Sequence, residues 1–296
     1  MRPALVAAVA ACLAGAVVTG CSGPPTAAPA HARHHPPPAS YYLALGDSLS
    51  QGVQPDATGA SVKTPDGYAS QLYAVLRKHD RGLRLIDLGC PGETTATMIH
   101  GGICSYRGRS QLRAAVSFLR AHRGHVSLIT LDIGANDPNP CITHPSLIKV
   151  MPCLGKSVIG ASANLTTIMT ALRPAAGHTR IIGMNYYLPA LAEWRNGFIG
   201  QALARVAELA AVGYNDVLTR VYHRSGARIA DVFSAFHTTD FANDVTVPGY
   251  GRLPRNVAAI CQWTWQCAAP PRGPNQHANQ AGYAVIARAF LLADGR

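Results

Sequence analysis

From Tyr41 onward the chain alternates short apolar runs with longer amphipathic ones. Residues 41–45, 83–88, 126–133, 180–184 and 228–232 are mostly apolar, rich in branched side chains and too short for helices, so they read as strands. Between them, 67–79, 110–122, 157–172, 197–223 and 280–292 read as helices, the first carrying apolar residues at Leu72, Val75 and Leu76. The helix over 157–172 is expected to stop ahead of Pro174, because a proline disfavours helical backbone in the residue before it. Strands that alternate with helices build a parallel sheet covered on both faces. The fold expected is therefore α/β, one domain over 41–296, with no internal repeat or second boundary. A chain of 296 residues is long enough to give it a sizeable core.

The pattern ahead of Tyr41 is different. Arg2 precedes an uncharged, almost wholly apolar stretch over 4–20, and small residues lead to Cys21. That is the layout of an export signal over 1–21. Val18-Thr19-Gly20-Cys21 resembles the bacterial lipobox, in which the Cys is lipidated and anchors the protein to a membrane; ordinary cleavage is the alternative. The stretch is too short for a permanent spanning helix. Residues 22–40 are rich in Pro, Ala and His and read as a tether. Its His31, His34 and His35 have no Cys or acidic companions, and no metal site is expected.

Cysteine usage agrees with export. Of the eight cysteines, Cys12 and Cys21 fall in the signal. The rest form three sequential couples, so the pairs Cys90–Cys104, Cys141–Cys153 and Cys261–Cys267 are expected, in segments otherwise read as loops. No C-x-x-C occurs to suggest zinc. Closing a loop of about 15 residues contributes roughly 3 kcal/mol. Lys and Arg outnumber Asp and Glu by 26 to 15. That surplus can favour lipid headgroups or cell-wall polymers, but the charges are scattered rather than clustered. No nucleic-acid motif is present, and a monomer is expected.

Four short blocks at or near element ends carry the candidate chemistry, since sites in open parallel sheets form at the carboxyl ends of strands. Gly46-Asp47-Ser48-Leu49-Ser50 follows the first strand and offers a hydroxyl at a sharp turn, where a helix start would favour developing negative charge. Leu88-Gly89-Cys90-Pro91-Gly92-Glu93-Thr94-Thr95 follows the second, with glycines that let backbone N–H approach a ligand. Gly134-Ala135-Asn136-Asp137 follows the third, and its Asn can donate to an oxyanion. His277, in Pro274-Asn275-Gln276-His277-Ala278-Asn279, precedes the last helix. Each block alone has an ordinary explanation as an N-cap, a glycine turn, an Asx turn or a surface His.

Taken together and in order, they resemble the SGNH (GDSL) hydrolases, most of all the secreted actinobacterial esterase and lipase branch of the Streptomyces scabies esterase type. The resemblance spans about 41–292. It implies a flavodoxin-like three-layer αβα sandwich with a central parallel sheet, and an ester hydrolase working through an acyl-enzyme without metal or cofactor. It implies Ser48 as nucleophile, His277 as general base, and an oxyanion hole from the Ser48 N–H, the Gly92 N–H and the Asn136 side chain. G-x-S-x-G is absent, so an α/β-hydrolase nucleophile elbow is not supported.

One position departs from the family. The Asp usual three residues before the His is replaced by Pro274, and no acidic residue lies between Asp244 and Asp294. The resemblance implies a Ser–His dyad with His277 oriented by the Pro274 backbone carbonyl; a remote acid, Asp240 or Asp244, is the rival. Tyr186, Tyr187, Trp263 and Trp265 are candidates for the substrate pocket. An acyl ester or lipid is the expected substrate. The alternatives are an acyltransferase or deacetylase acting on cell-wall glycans, and a non-catalytic lipoprotein that binds lipid or carbohydrate.

Overall fold

The sheet is built around strand β1 (Ser40–Gly46), which pairs in parallel with β2 (Leu83–Asp87) on one side and β3 (Val126–Asp132) on the other. Strands β4 (Arg180–Met184) and β5 (Arg228–Ala230) extend it to the order β2-β1-β3-β4-β5. The computed structural model describes residues 39–142 and 147–295. The expected signal, Cys21 and residues 22–38 of the tether lie outside the described residues. Tyr42, Leu43, Ala44 and Leu45 of β1 and Leu128, Ile129 and Leu131 of β3 are fully buried. A strand covered on both faces needs apolar side chains on both, which is why these segments read as unbroken apolar runs.

Among the described residues the longer helices are α1 (Tyr68–Leu76), α2 (Thr95–His100), α3 (Gln111–Ala121), α4 (Leu147–Ala176), α5 (Gly197–Arg224), α6 (Arg255–Trp263) and α7 (Gln280–Asp294). Helix α1 packs on α7, while α4 packs on both α3 and α5. The result is a three-layer α/β sandwich of flavodoxin-like strand order. In this order the chain reverses direction of travel between β1 and β3, and a crevice opens outside their carboxyl ends.

Several elements differ from expectation, among them α2, which was not expected. Helix α4 begins earlier and runs through Pro174 to Ala176. A proline in the last turn removes only one intrahelical bond, near carbonyls that lack helical partners anyway. Helix α6 was not expected; its Val257, Ala258, Ala259 and Ile260 are buried, and their continuous apolar run carries no clear helical period. The three disulfides join the expected couples, but Cys153 lies in α4 and Cys261 in α6 rather than in loops.

Candidate active site

Ser48 sits in a turn directly after β1, not at a helix start, so a helix dipole plays no part at this position. The turn is held by the neighbouring strand: Asp47 N–H donates to the Asp132 carbonyl at 3.0 Å. Gly46 adopts φ +137°, and a Cβ there would lie 2.1 Å from the Asp132 carbonyl oxygen. Only glycine fits this approach. Gln111 of α3 then grips the same residue, its Oε1 accepting from Gly46 N–H at 2.7 Å and its Nε2 donating to the Gly46 carbonyl at 2.9 Å. Ser48 itself is buried against the cavity described below.

His277 approaches from the other end of the chain. It lies on a short strand, Asn275–Ala278, that pairs with Thr264–Trp265. Asn279 caps α7 by accepting from Gly282 N–H at 3.0 Å, and Tyr187 donates from its hydroxyl to the Gln276 carbonyl at 2.9 Å. So anchored, the ring places Nε2 2.9 Å from Ser48 Oγ. Its Nδ1 lies 2.8 Å from Asn275 Oδ1, which also accepts the His277 backbone N–H at 3.0 Å. This corrects the expectation for the Pro274 carbonyl: the side chain two residues ahead of the His, rather than a main-chain group three ahead, fills the Nδ1 position. Burial lowers the His277 pKa to about 4. Asp240 and Asp244 are engaged elsewhere, Asp240 with Asn243 and Asp244 with Arg252. Neither partners the His.

The two loops expected to flank the oxyanion are tied to each other. Asn136 Nδ2 donates to the Glu93 carbonyl at 2.9 Å, and its Oδ1 accepts from Asn139 at 3.1 Å. Asp137 accepts from the backbone N–H of Thr95 at 3.0 Å and from its hydroxyl. Gly92 has φ +83° with no atom within 4 Å of a built Cβ. The conformation, not crowding, calls for glycine there. Asn136 lines the cavity beside Ser48 and His277; Gly92 is not among the lining residues.

Three carboxyls are buried around the turn. Asp47 Oδ1 accepts from Leu49 N–H at 3.0 Å, and burial pushes its pKa up to about 7. Asp132, hydrogen-bonded by the Tyr68 hydroxyl and wholly buried, is raised well above the usual carboxylate range by burial and by Asp47. Glu93 is raised by burial too, and its Oε2 accepts from Gln111 at 3.1 Å. None of these reaches His277. Asp132 and Gln111 were not singled out in the sequence, although both brace the turn that carries Ser48.

The Ser48 hydroxyl opens on a cavity of about 340 Å³. Its walls are apolar: Leu154 and Val158 from α4, Ala207, Ala210 and Ala211 from α5. Tyr186 and Tyr187 line it, both nearly buried. Trp263 and Trp265 do not. Trp263 packs edge-on against Phe236 at 5.2 Å, and the Trp265 indole N–H donates to Gln54 at 3.1 Å. Their rings serve the packing behind the His277 strand. A hydroxyl paired with a neutral imidazole and facing an apolar cavity is an arrangement suited to acyl transfer.

Residues 44–285 match the model of the GDSL-like lipase/acylhydrolase family, and the chain belongs to that family. It is accordingly a hydrolase of ester bonds. No curated protein sequence matches the chain. Among solved structures, an extracellular lipase from Streptomyces rimosus superposes with TM-score 0.56 at 17% identity, over 86% of this chain and 100% of that one. An acetylxylan esterase from Geobacillus stearothermophilus gives 0.52 at 16%, over 87% and 96%. A lipase from a goat rumen metagenome gives 0.54 at 16%, over 86% and 97%. At such identities the likeness is one of fold.

Proposed function

We propose that this chain is an exported carboxylesterase or lipase that forms an acyl-enzyme on Ser48. The observation that carries the reading is the line Ser48 Oγ, His277 Nε2, His277 Nδ1, Asn275 Oδ1, opening on an apolar cavity. Burial keeps the imidazole neutral at physiological pH, so it is ready to take the Ser48 proton as the oxygen attacks the ester carbonyl. The Asn275 amide oxygen fixes the tautomer with Nδ1–H, leaving Nε2 as the acceptor. It brings no full negative charge, so it stabilises the imidazolium less than a carboxylate does.

The tetrahedral oxyanion is assigned to the Ser48 N–H, the Gly92 N–H and the Asn136 amide, each such donor typically contributing about 2.7–4 kcal/mol. His277 then gives its proton to the departing alcohol, and water activated by the same ring releases the acid. The cavity volume lies at the low end for small-molecule sites, which supports acyl groups of short to medium length. Three disulfides are consistent with export, and lipidation of Cys21 would tether the enzyme at the cell envelope.

The three sequential disulfides favour the secreted actinobacterial esterases as the branch of the family to which the chain is most similar. A non-catalytic binder has no use for the 2.9 Å Ser48–His277 contact. The test is product analysis with p-nitrophenyl esters from acetate to decanoate, with and without alcohol or glycan acceptors. Release of free acid, fastest for butyrate to octanoate, supports the reading. Acyl groups passed mainly to the glycan would make the protein an acyltransferase instead.

A further inference from the structure

The two helices that wall the cavity also carry bare apolar surface beside it. On α5, Ile199, Leu203, Val206 and Leu209 are 51–73% exposed. Their spacing puts them on one stripe: at about 100° per residue they fall within an arc of about 120°. Ala202, Ala210 and Gly213 occupy the same arc, and no charged side chain enters it before Arg220. The stripe adjoins the helix face that supplies Ala207, Ala210 and Ala211 to the cavity, with Ala210 belonging to both. On α4, Met151 and Ile159 are exposed one turn to either side of Gly155, next to the cavity residues Leu154 and Val158.

Singly exposed apolar residues need no explanation, but a contiguous set bordering a ligand cavity marks an interaction surface. Cations flank it. Lys156 on α4, Arg195 just ahead of α5 and Arg205 on α5 are exposed. The Arg205 guanidinium lies 5.1 Å from the Trp194 ring and 4.6 Å from the Phe241 ring. An apolar stripe edged by Lys, Arg and Trp, on a chain of formal charge +11, matches the chemistry of a surface that lies on lipid.

We infer that this face docks on an anionic lipid surface, so that an acyl chain passes from the lipid layer into the cavity without crossing water. Lys156, Arg195 and Arg205 at the edge of the stripe would meet like charge on a second copy of this +11 chain and opposite charge on an anionic lipid surface, which is why lipid rather than self-association is the occupant. The inference rests on the ester-hydrolase reading above and gives its substrate a physical state: esters presented in an aggregate.

The test uses the oxidised chain from Ser22 onward, so that neither the export signal nor a lipid on Cys21 contributes. It is compared with the same chain bearing Val206→Ser and Leu209→Ser. Neither residue lines the cavity, and both are exposed, so the fold and the turnover of soluble p-nitrophenyl butyrate are expected to stay within about twofold. Cosedimentation with vesicles of phosphatidylcholine and phosphatidylglycerol (3:1, approximately) should fall at least about tenfold, with a parallel loss of hydrolysis of esters embedded in those vesicles. Equal cosedimentation by both proteins, or a parent chain that stays in the supernatant, overturns the inference. So does a parent chain that sediments as a dimer and a variant that sediments as a monomer. Vesicle binding lost in the variant, in a protein that hydrolyses no soluble ester, would leave the docking face standing and remove the hydrolase reading.

Discussion

Replacing Asn275 by Asp puts a charge where the structure has an amide oxygen, 2.8 Å from His277 Nδ1. The aspartate keeps an acceptor for both His277 N–H groups, so the geometry is preserved and only the charge changes. Opposite unit charges about 4 Å apart attract by about 4 kcal/mol at an effective dielectric constant of 20. Each pKa unit corresponds to about 1.36 kcal/mol, so the ceiling is roughly 3 units. Desolvation of the new carboxylate opposes this, and a rise of about 1–2 units is expected. His277 starts at about 4. The reaction needs the neutral ring, so kcat/KM falls as pH drops through the His pKa. The acid limb of the kcat/KM profile should therefore move upward by about 1–2 pH units. Above it, the plateau should rise about tenfold, because the carboxylate stabilises the imidazolium of the transition state. The assay is kcat/KM against pH on a soluble ester, which reports the free enzyme. An acid limb that does not move in a variant with unchanged melting temperature would refute Asn275 as the Nδ1 partner and return that role to the Pro274 carbonyl.

Two further outcomes follow from the same geometry. Ala211→Trp fills the cavity from α5 and should cut kcat/KM for octanoate esters by about tenfold or more while sparing acetate, since a pocket contact discriminates by about 1–3 kcal/mol; equal losses on both esters would contradict the assignment of the cavity to the acyl chain. The buried Asp47 and Asp132 have raised pKa values, so between pH 4 and pH 7, approximately, the folded chain holds protons that the unfolded chain has released. Stability therefore falls as pH rises through that window, and Asp132→Asn should give a shallower fall in thermal melts; a slope identical to the parent's would show that the pair is not the source.

The strands were legible because β1 and β3 are buried on both faces and must be apolar throughout. Ser48 and His277, which the structure brings to 2.9 Å, were legible because each stands in a short motif at an element end. Asn275 was passed over because the family places its acid three residues before the His, while here the acceptor comes from a side chain two residues before it. Trp263 and Trp265 were misplaced because a position inside the Cys261–Cys267 loop does not say which way a ring packs. The cavity walls left no sequence signal for a related reason. Ala207, Ala210 and Ala211 make the space by what they lack, and small residues on a long helix look the same whether they face a cavity, a neighbour or solvent. The start of α4 and the whole of α2 and α6 were missed where a proline, a six-residue length or an unbroken apolar run hid the helical period.

The most direct test of the account is active-site labelling of the oxidised protein with a fluorophosphonate probe, comparing the parent with Ser48→Ala and His277→Ala. The Ser48 hydroxyl is the assigned nucleophile and depends on the ring 2.9 Å away. The parent should label, Ser48→Ala should not, and His277→Ala should label at a rate at least about 10²-fold lower. An unlabelled parent that is demonstrably folded, or a Ser48→Ala variant that labels like the parent, would contradict that assignment.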